Sequence, residues 1–170
     1  MLRRPIAGLA DSKVLTKLQR QKLDIIIRAE AVGFGLGWVP AEELDKVGLT
    51  EAVRLAMQRA LAELETSCGE RVTEIIIDGN YNYFAGDVRA RTLIKADATV
   101  PAVSAASILA KVARDTWMAT EGARQFPQYA FEKHVGYATA LHRQLLAQHG
   151  ASSLHRRSFR PVQVALDAAA

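Results

Sequence analysis

The sequence holds a single cysteine, Cys68, so no disulfide can form within the chain, and a reducing cytoplasm is its natural setting. It has no apolar run of about 18 residues, the length a membrane-spanning helix requires. The pattern of a secretory leader is missing too. Met1-Leu2-Arg3-Arg4-Pro5 is basic, but Asp11, Lys13 and Lys17 interrupt the apolar stretch that should follow. No phosphate-cradling P-loop occurs, and Gly33-Phe34-Gly35 has neither the later glycine nor the helix of a dinucleotide fingerprint. Ser152-Ser153 has no base and acid at recognisable spacing, which argues against a serine hydrolase. His142 and His149 stand with the one cysteine far away, so they make no zinc site. Internal repeats, low-complexity linkers and long blocks of like charge are also lacking.

What remains is ordinary in bulk. A chain of 170 residues, 49% apolar and 24% charged, suits one globular domain with its own core. The net charge of +4 and pI near 9.4 suit a polyanionic partner, or equally a solvated basic surface. The positive residues cluster. Lys13, Lys17, Arg20 and Lys22 crowd the start, and Arg156, Arg157 and Arg160 crowd the end beside His155.

Hydrophobic periodicity divides the chain into alternating elements. Thr16 is placed to cap a helix over residues 17–30, with Leu18, Leu23, Ile26 and Ile27 inward. Residues 31–39 read as a strand whose glycines 33, 35 and 37 alternate with Val32, Phe34, Leu36 and Trp38, giving one bare face and one bulky face. Pro40 opens a short helical turn to residue 44. An amphipathic helix over residues 50–64 is carried by Val53, Ala56, Met57, Ala60, Leu61 and Leu64. Residues 72–77 are β-branched enough for a buried strand, and 92–96 for a weaker one. A long helix spans 103–120, a loop with Pro127 and Tyr129 covers 126–136, and a helix over 139–149 ends at Gly150. Helices alternating with apolar strands predict an α/β domain over residues 1–165, followed by a frayed tail at 166–170.

Three places can carry chemistry. Asp78 follows a hydrophobic strand directly, where α/β sheets present residues to ligands, and Gly79 lets the chain turn there; an Asx-turn ending the strand reads equally from the same three residues. On the long helix, Ser104, Ser107, Lys111 and Asp115 fall within an arc of about 80°, a polar stripe along an otherwise apolar helix. Two hydroxyls and an ammonium suit phosphate and the acid suits a metal; the alternative is an internal Lys111–Asp115 pair worth a few tenths of a kcal/mol. Arg114 lies off that arc, in position for solvent. Asp97, after Lys95, reads as a third carboxylate or as a turn residue. His134-Val135-Gly136-Tyr137 places an imidazole, a glycine and a ring in one loop, suited to a sugar or base, while Tyr137 and Phe131 fit a core role equally.

These residues resemble the ribonuclease HII family, motif by motif and in order. Gly8-Leu9-Ala10-Asp11-Ser12-Lys13 comes first, then Ile77-Asp78-Gly79-Asn80 and Lys95-Ala96-Asp97. The long segment from Ser104 to Asp115 follows, then His134-Val135-Gly136-Tyr137 and His155-Arg156-Arg157-Ser158-Phe159. The resemblance implies a ribonuclease H-like α/β fold, a mixed five-stranded sheet flanked by helices. It implies an endonuclease that hydrolyses the RNA strand of RNA–DNA hybrids and cuts at ribonucleotides embedded in duplex DNA, leaving 3′-hydroxyl and 5′-phosphate ends. Four carboxylates would hold two divalent ions, Mg²⁺ or Mn²⁺, with Asp78 matching the third and Asp115 the fourth. Tyr137 matches the tyrosine that packs on the deoxyribose beside the ribonucleotide. Lys13 and Ser107 match positions near the substrate backbone, and Lys111 of the polar stripe is a further substrate-binding candidate. A cytoplasmic monomer without a membrane partner is expected, and no residue argues for a sliding-clamp partner.

One departure from the family's pattern is large. Its members carry an Asp-Glu pair followed by Gly-Arg-Gly on the first strand, before the Asp-Ser-Lys segment, and none of the residues before Asp11 forms that motif. The expectation is therefore a chain short at its N-terminus, without the first two ligands, the loop that reads the 2′-hydroxyl and the central strand. Such a chain would be an impaired nuclease. The alternative is a nucleic-acid-binding remnant of the same fold, and a ribonuclease HIII reading shares the core but has an extra domain not visible here. Smaller departures are Ala96 for a usual glycine and Val135 for a usual lysine.

Overall fold

Among the described residues the one sheet is a short parallel pair of strands. In the computed structural model, which describes residues 2–167, the elements in chain order are α1 (Lys17–Glu30), α2 (Ala41–Val47), α3 (Leu49–Cys68), β1 (Ile75–Asp78), β2 (Ala90–Leu93), α4 (Ala96–Thr99) and α5 (Pro101–Trp117). A π-helical turn over Met118–Gly122 then leads to α6 (Ala123–Gln125), a 3₁₀ turn at Pro127–Tyr129, α7 (Phe131–His134), α8 (Ala140–His149) and α9 (Arg160–Asp167). The chain divides into two compact units. The first takes the chain through Trp38 and resumes over Val53–Val112; the second takes Val39–Ala52 and continues from Ala113. Among the described residues no helix is long and apolar enough to cross a membrane.

In the first unit β1 runs parallel to β2, in a register that sets Ile75 beside Ala90 and Asp78 beside Leu93. Only these two strands pair among the described residues, apart from one antiparallel bridge between Leu2 and Ala31, whereas the resemblance implies a five-stranded sheet for the complete family fold, from which this chain was expected to lack the central strand. The second strand also ends early, at Leu93, because Lys95 turns left-handed at φ 58° and α4 begins at Ala96.

The expected strand over residues 31–39 is not one, and its glycines show why. The segment lies against α3, glycine face down. A Cβ on Gly35 would sit 2.0 Å from the Ala60 carbonyl oxygen, and one on Gly37 would sit 1.7 Å from that of Ala56. The bare face is thus the space a helix backbone occupies, not a sheet face. Side chains of α3 then satisfy groups that a neighbouring strand would otherwise bond. Glu63 accepts the Leu36 amide at 2.7 Å, and Arg59 donates to the Trp38 carbonyl at 2.6 Å.

Helix α1 starts in a capping box, Thr16 with Gln19, as its sequence implies. Leu23 and Ile27 bury against Ala105, Ile108 and Leu109 of α5, with Phe34, Leu36 and Leu9 closing the cluster. Each buried leucine or isoleucine there contributes about 1.5–3 kcal/mol by leaving water. Leu18 and Ile26, expected inward, are 61% and 44% exposed. The face is fixed by Arg20, three and seven residues before Leu23 and Ile27, which donates to the Ser12 carbonyl at 2.9 Å and also to that of Leu15.

The second unit has its own core of Met118, Tyr129, Phe131, Leu146 and Val162. The long helix expected to residue 120 is α-helical only to Trp117 and continues as the π-helical turn. Residues 126–136, read as a loop, contain the 3₁₀ turn and α7, because Tyr129 and Phe131 are fully buried and stack with centroids 5.3 Å apart. Thr139 caps α8 by accepting the His142 amide, and Gly150 ends it with φ 72°. Helix α9 was not legible beforehand; Val162 and Leu166 hold it to the core. Leu166 and Asp167, assigned to the tail, are its last residues, while the rest of that tail, 168–170, lies outside the described residues.

Candidate functional site

Asp78 stands at the C-terminal end of β1 and is exposed, although Ile77 before it is buried. Its Oδ1 accepts the amide of Ala96, the first residue of α4, at 2.8 Å. The chain leaves the strand through Gly79, whose amide bonds the Leu93 carbonyl at 3.0 Å. Asp97, on the next residue, is buried and has Lys13 Nζ at 3.6 Å, while that ammonium also lies 3.8 Å from Asp11. The Lys13 side chain is 78% exposed, so these pairs leave it open to solvent.

The segment before α1 lies along α5 within the same unit. Ser104 donates to the Ala10 carbonyl at 2.8 Å, and the hydroxyls of Ser12 and Ser107 are 2.7 Å apart. Two members of the polar stripe therefore anchor Ala10, Ser12 and, by its chain position, Lys13. Ser104 is buried and spends its donor on that contact; Ser107 and Lys111 are half-buried.

Asp115 belongs to the second unit, near the end of α5. Its Oδ1 accepts from the Tyr137 hydroxyl at 3.3 Å and from Arg114 Nη1 at 3.1 Å. Tyr137 is 44% exposed, which sets aside the core role, whereas Phe131 takes that role fully. Arg114, read from the helical arc as a solvent residue, is instead half-buried. Its guanidinium lies over the Tyr137 ring, 5.1 Å from the centroid, and also donates to the Val135 carbonyl. A helical wheel marks where Cβ points, not where a long guanidinium reaches, so the missed signal was its place directly before Asp115.

Asp78 and Asp115, the two carboxylates expected as ligands, each accept hydrogen bonds from within their own unit. Among the described residues no group of three or more His, Cys, Asp or Glu side chains could hold a metal ion. A pair of divalent cations needs more anionic oxygen than two carboxylates offer, so this donor set does not by itself fit two ions.

Comparison with known proteins gives the class and then the family. The fold matches the crystal structure of the ribonuclease H2 from Pyrococcus horikoshii OT3 with a TM-score of 0.68 over 94% of this chain and 81% of that one, at 22% identity. The architecture is therefore the ribonuclease H-like α/β fold, with helices around a small parallel sheet. The family model described as Ribonuclease HII matches residues 4–162. The chain is 46% identical to Ribonuclease HII of Acidovorax sp. (strain JS42) over 164 residues, covering 96% of itself and 76% of that protein. It is 44% identical to that of Verminephrobacter eiseniae over 98% of itself and 77% of the relative, and 40% to that of Nitrosospira multiformis over 94% and 77%. The chain belongs to the Ribonuclease HII family, hydrolytic ribonucleases H of type II.

Proposed function

We propose that this protein is an endoribonuclease acting on RNA–DNA hybrids and on duplex DNA with embedded ribonucleotides, giving 3′-hydroxyl and 5′-phosphate ends. The observation that carries the reading is the Asp115–Tyr137 contact, an acid and a half-exposed ring held at 3.3 Å in a chain of this family. Asp78 and Asp115 serve as the catalytic carboxylates and would ligate Mg²⁺ or Mn²⁺, which neutralises charge on the scissile phosphate when bound. Tyr137 packs on the sugar beside the ribonucleotide, and Lys13, Ser107 and Lys111 attract or position the phosphate backbone. The protein acts as a cytoplasmic monomer in ribonucleotide and primer removal, with residues 1–165 as its catalytic domain.

Two carboxylates supply about half the anionic charge that a pair of divalent ions requires, so this chain binds metal weakly and cleaves poorly alone. The test has two arms. The 170-residue chain, given Mg²⁺ or Mn²⁺ and a duplex with one ribonucleotide, should show no cleavage; clear cleavage would refute the ligand deficit. A chimera carrying an N-terminal segment with the family's Asp-Glu and Gly-Arg-Gly pattern should cleave, and Asp78→Asn should abolish that activity. A chimera that binds hybrid but never cuts supports the second reading, a nucleic-acid-binding protein that has lost catalysis.

A further inference from the structure

Three of the four histidines, His134, His142 and His155, form one buried cluster in the second unit, outside the chemistry described above. The rings of His134 and His142 stack with centroids 4.5 Å apart, and His155 lies 5.3 Å from His142. Phe131 lies within 6.0 Å of all three, and Tyr129 covers His155 at 4.9 Å.

Backbone partners fix where each proton sits. The Ser152 amide donates to His155 Nδ1 at 3.1 Å, so a neutral His155 carries its proton on Nε2. That Nε2 faces His142 Nε2 at 3.1 Å, which must then accept. The proton of His142 is therefore on Nδ1, from which it donates to the Tyr137 carbonyl at 3.0 Å. His134 is fixed separately, accepting from the Gly136 amide on Nδ1 and donating from Nε2 to the Tyr129 carbonyl. A directed chain thus runs from the Ser152 amide through His155 and His142 to Tyr137.

Its end point needs holding. The loop reaches Tyr137 through Val135 at φ 44° and Gly136 at φ 81°, and the first is a β-branched residue in the left-handed region. The chain holds only while the rings are neutral, since a second proton on either His142 or His155 would set N–H against N–H. The surroundings keep them neutral. Burial lowers the pKa of both, and the neighbouring histidines lower them further, with Arg114 also facing His142.

We infer that His142, held in its Nδ1–H form by His155 and Ser152, is a positioning residue that places Tyr137 for contact with the nucleic acid. The inference rests on the reading of Tyr137 as a substrate contact. His142 touches no reacting atom; it acts through the Tyr137 backbone.

The experiment uses the full chain without divalent ions. Long-range ¹⁵N–¹H spectra at neutral pH should show His142 protonated on Nδ1 and His155 on Nε2; the opposite tautomer, or a charged ring, overturns the inference. Two variants then separate positioning from packing. His142→Asn keeps an amide N–H where Nδ1 stood, whereas His142→Gln keeps one where Nε2 stood and loses the link to Tyr137. The asparagine variant should bind a duplex with one ribonucleotide within about twofold of the parent. The glutamine variant should bind roughly tenfold more weakly, the loss expected for one hydrogen bond, and the amide resonances of Gly136 and Tyr137 should move. Equal losses in both variants, or unmoved loop amides in the glutamine variant, overturn the inference. Tyr137→Ala is the separate control. If it leaves affinity unchanged while the tautomers and loop shifts are as stated, the relay to the loop is upheld and only the substrate reading of Tyr137 falls.

Discussion

Asp78 Oδ1 accepts the main-chain amide of Ala96 at 2.8 Å, so the acid that ends β1 also caps α4 from a distance. Helix α4 has no cap of its own, because Lys95 at its N-cap offers no acceptor. Removing the oxygen and removing the charge should therefore separate. Asp78→Ala leaves the Ala96 amide without its acceptor and should destabilise the first unit by about 1 kcal/mol. Asp78→Asn keeps that oxygen and should melt close to the parent, yet lose most of whatever Mn²⁺ affinity the chain has. Thermal melts beside Mn²⁺ titrations check both; an asparagine variant that melts as low as the alanine one sinks the capping role.

The β-branched run before Asp78 showed both the strand and the acid at its end, because a short buried strand leaves little choice of pattern. The stripe on α5 was legible for the same reason: Ser104, Ser107 and Asp115 recur at helical spacing, and each makes a polar contact in the structure. Residues 31–39 misled because alternation records an extended backbone and one bare face, not what lies against that face. The helix backbone of α3 fills it as well as a sheet would. The histidine cluster had no spacing signature, since α7, α8 and the turn at Ser152 bring together residues spread from His134 to His155.

Gly37 tests the packing of that extended segment directly. Its added Cβ would lie 1.7 Å from the Ala56 carbonyl oxygen, an atom of a helix backbone that cannot rotate away. Gly37→Ala should destabilise the first unit by about 1–3 kcal/mol or more, seen as a lower urea midpoint. Gly35→Ala, facing the Ala60 carbonyl at 2.0 Å, should behave alike. A parental midpoint for either would mean that the segment does not rest on α3.

Arg114 joins Asp115, the Val135 carbonyl and the face of Tyr137 through one planar guanidinium. Lysine keeps the charge but not the fork or the stacking plane. Arg114→Ala should weaken binding of an RNA–DNA hybrid by roughly five- to fiftyfold, the size of one cation–π contact and one hydrogen bond together, and Arg114→Lys should recover only part of it. Fluorescence anisotropy at fixed low salt reads the difference. Full recovery by lysine would reduce the role of Arg114 to charge alone.

The histidine cluster makes the second unit acid-labile in a defined window. Burial, with His142 and His134 adding to it, pushes the pKa of His155 down to about 4, and burial lowers His142 as well. In the unfolded chain both imidazoles titrate near 6.5. Between those values the unfolded state binds protons that the folded state refuses, so stability falls as pH falls. The stabilisation is complete above about pH 6.5, is lost progressively towards pH 4, and changes no further from this source below that. For His155 the loss is on the order of 3 kcal/mol. Replacing it with phenylalanine removes the titration together with the hydrogen bonds to Ser152 and His142. His155→Phe should thus be less stable than the parent at pH 7, with a flatter decline from pH 6.5 to 4 in urea unfolding. Parallel declines would overturn His155 as the source; the carboxylates held low by arginine, Glu121 of the same unit at about 2 among them, release their stabilisation only at lower pH, below about 4.5.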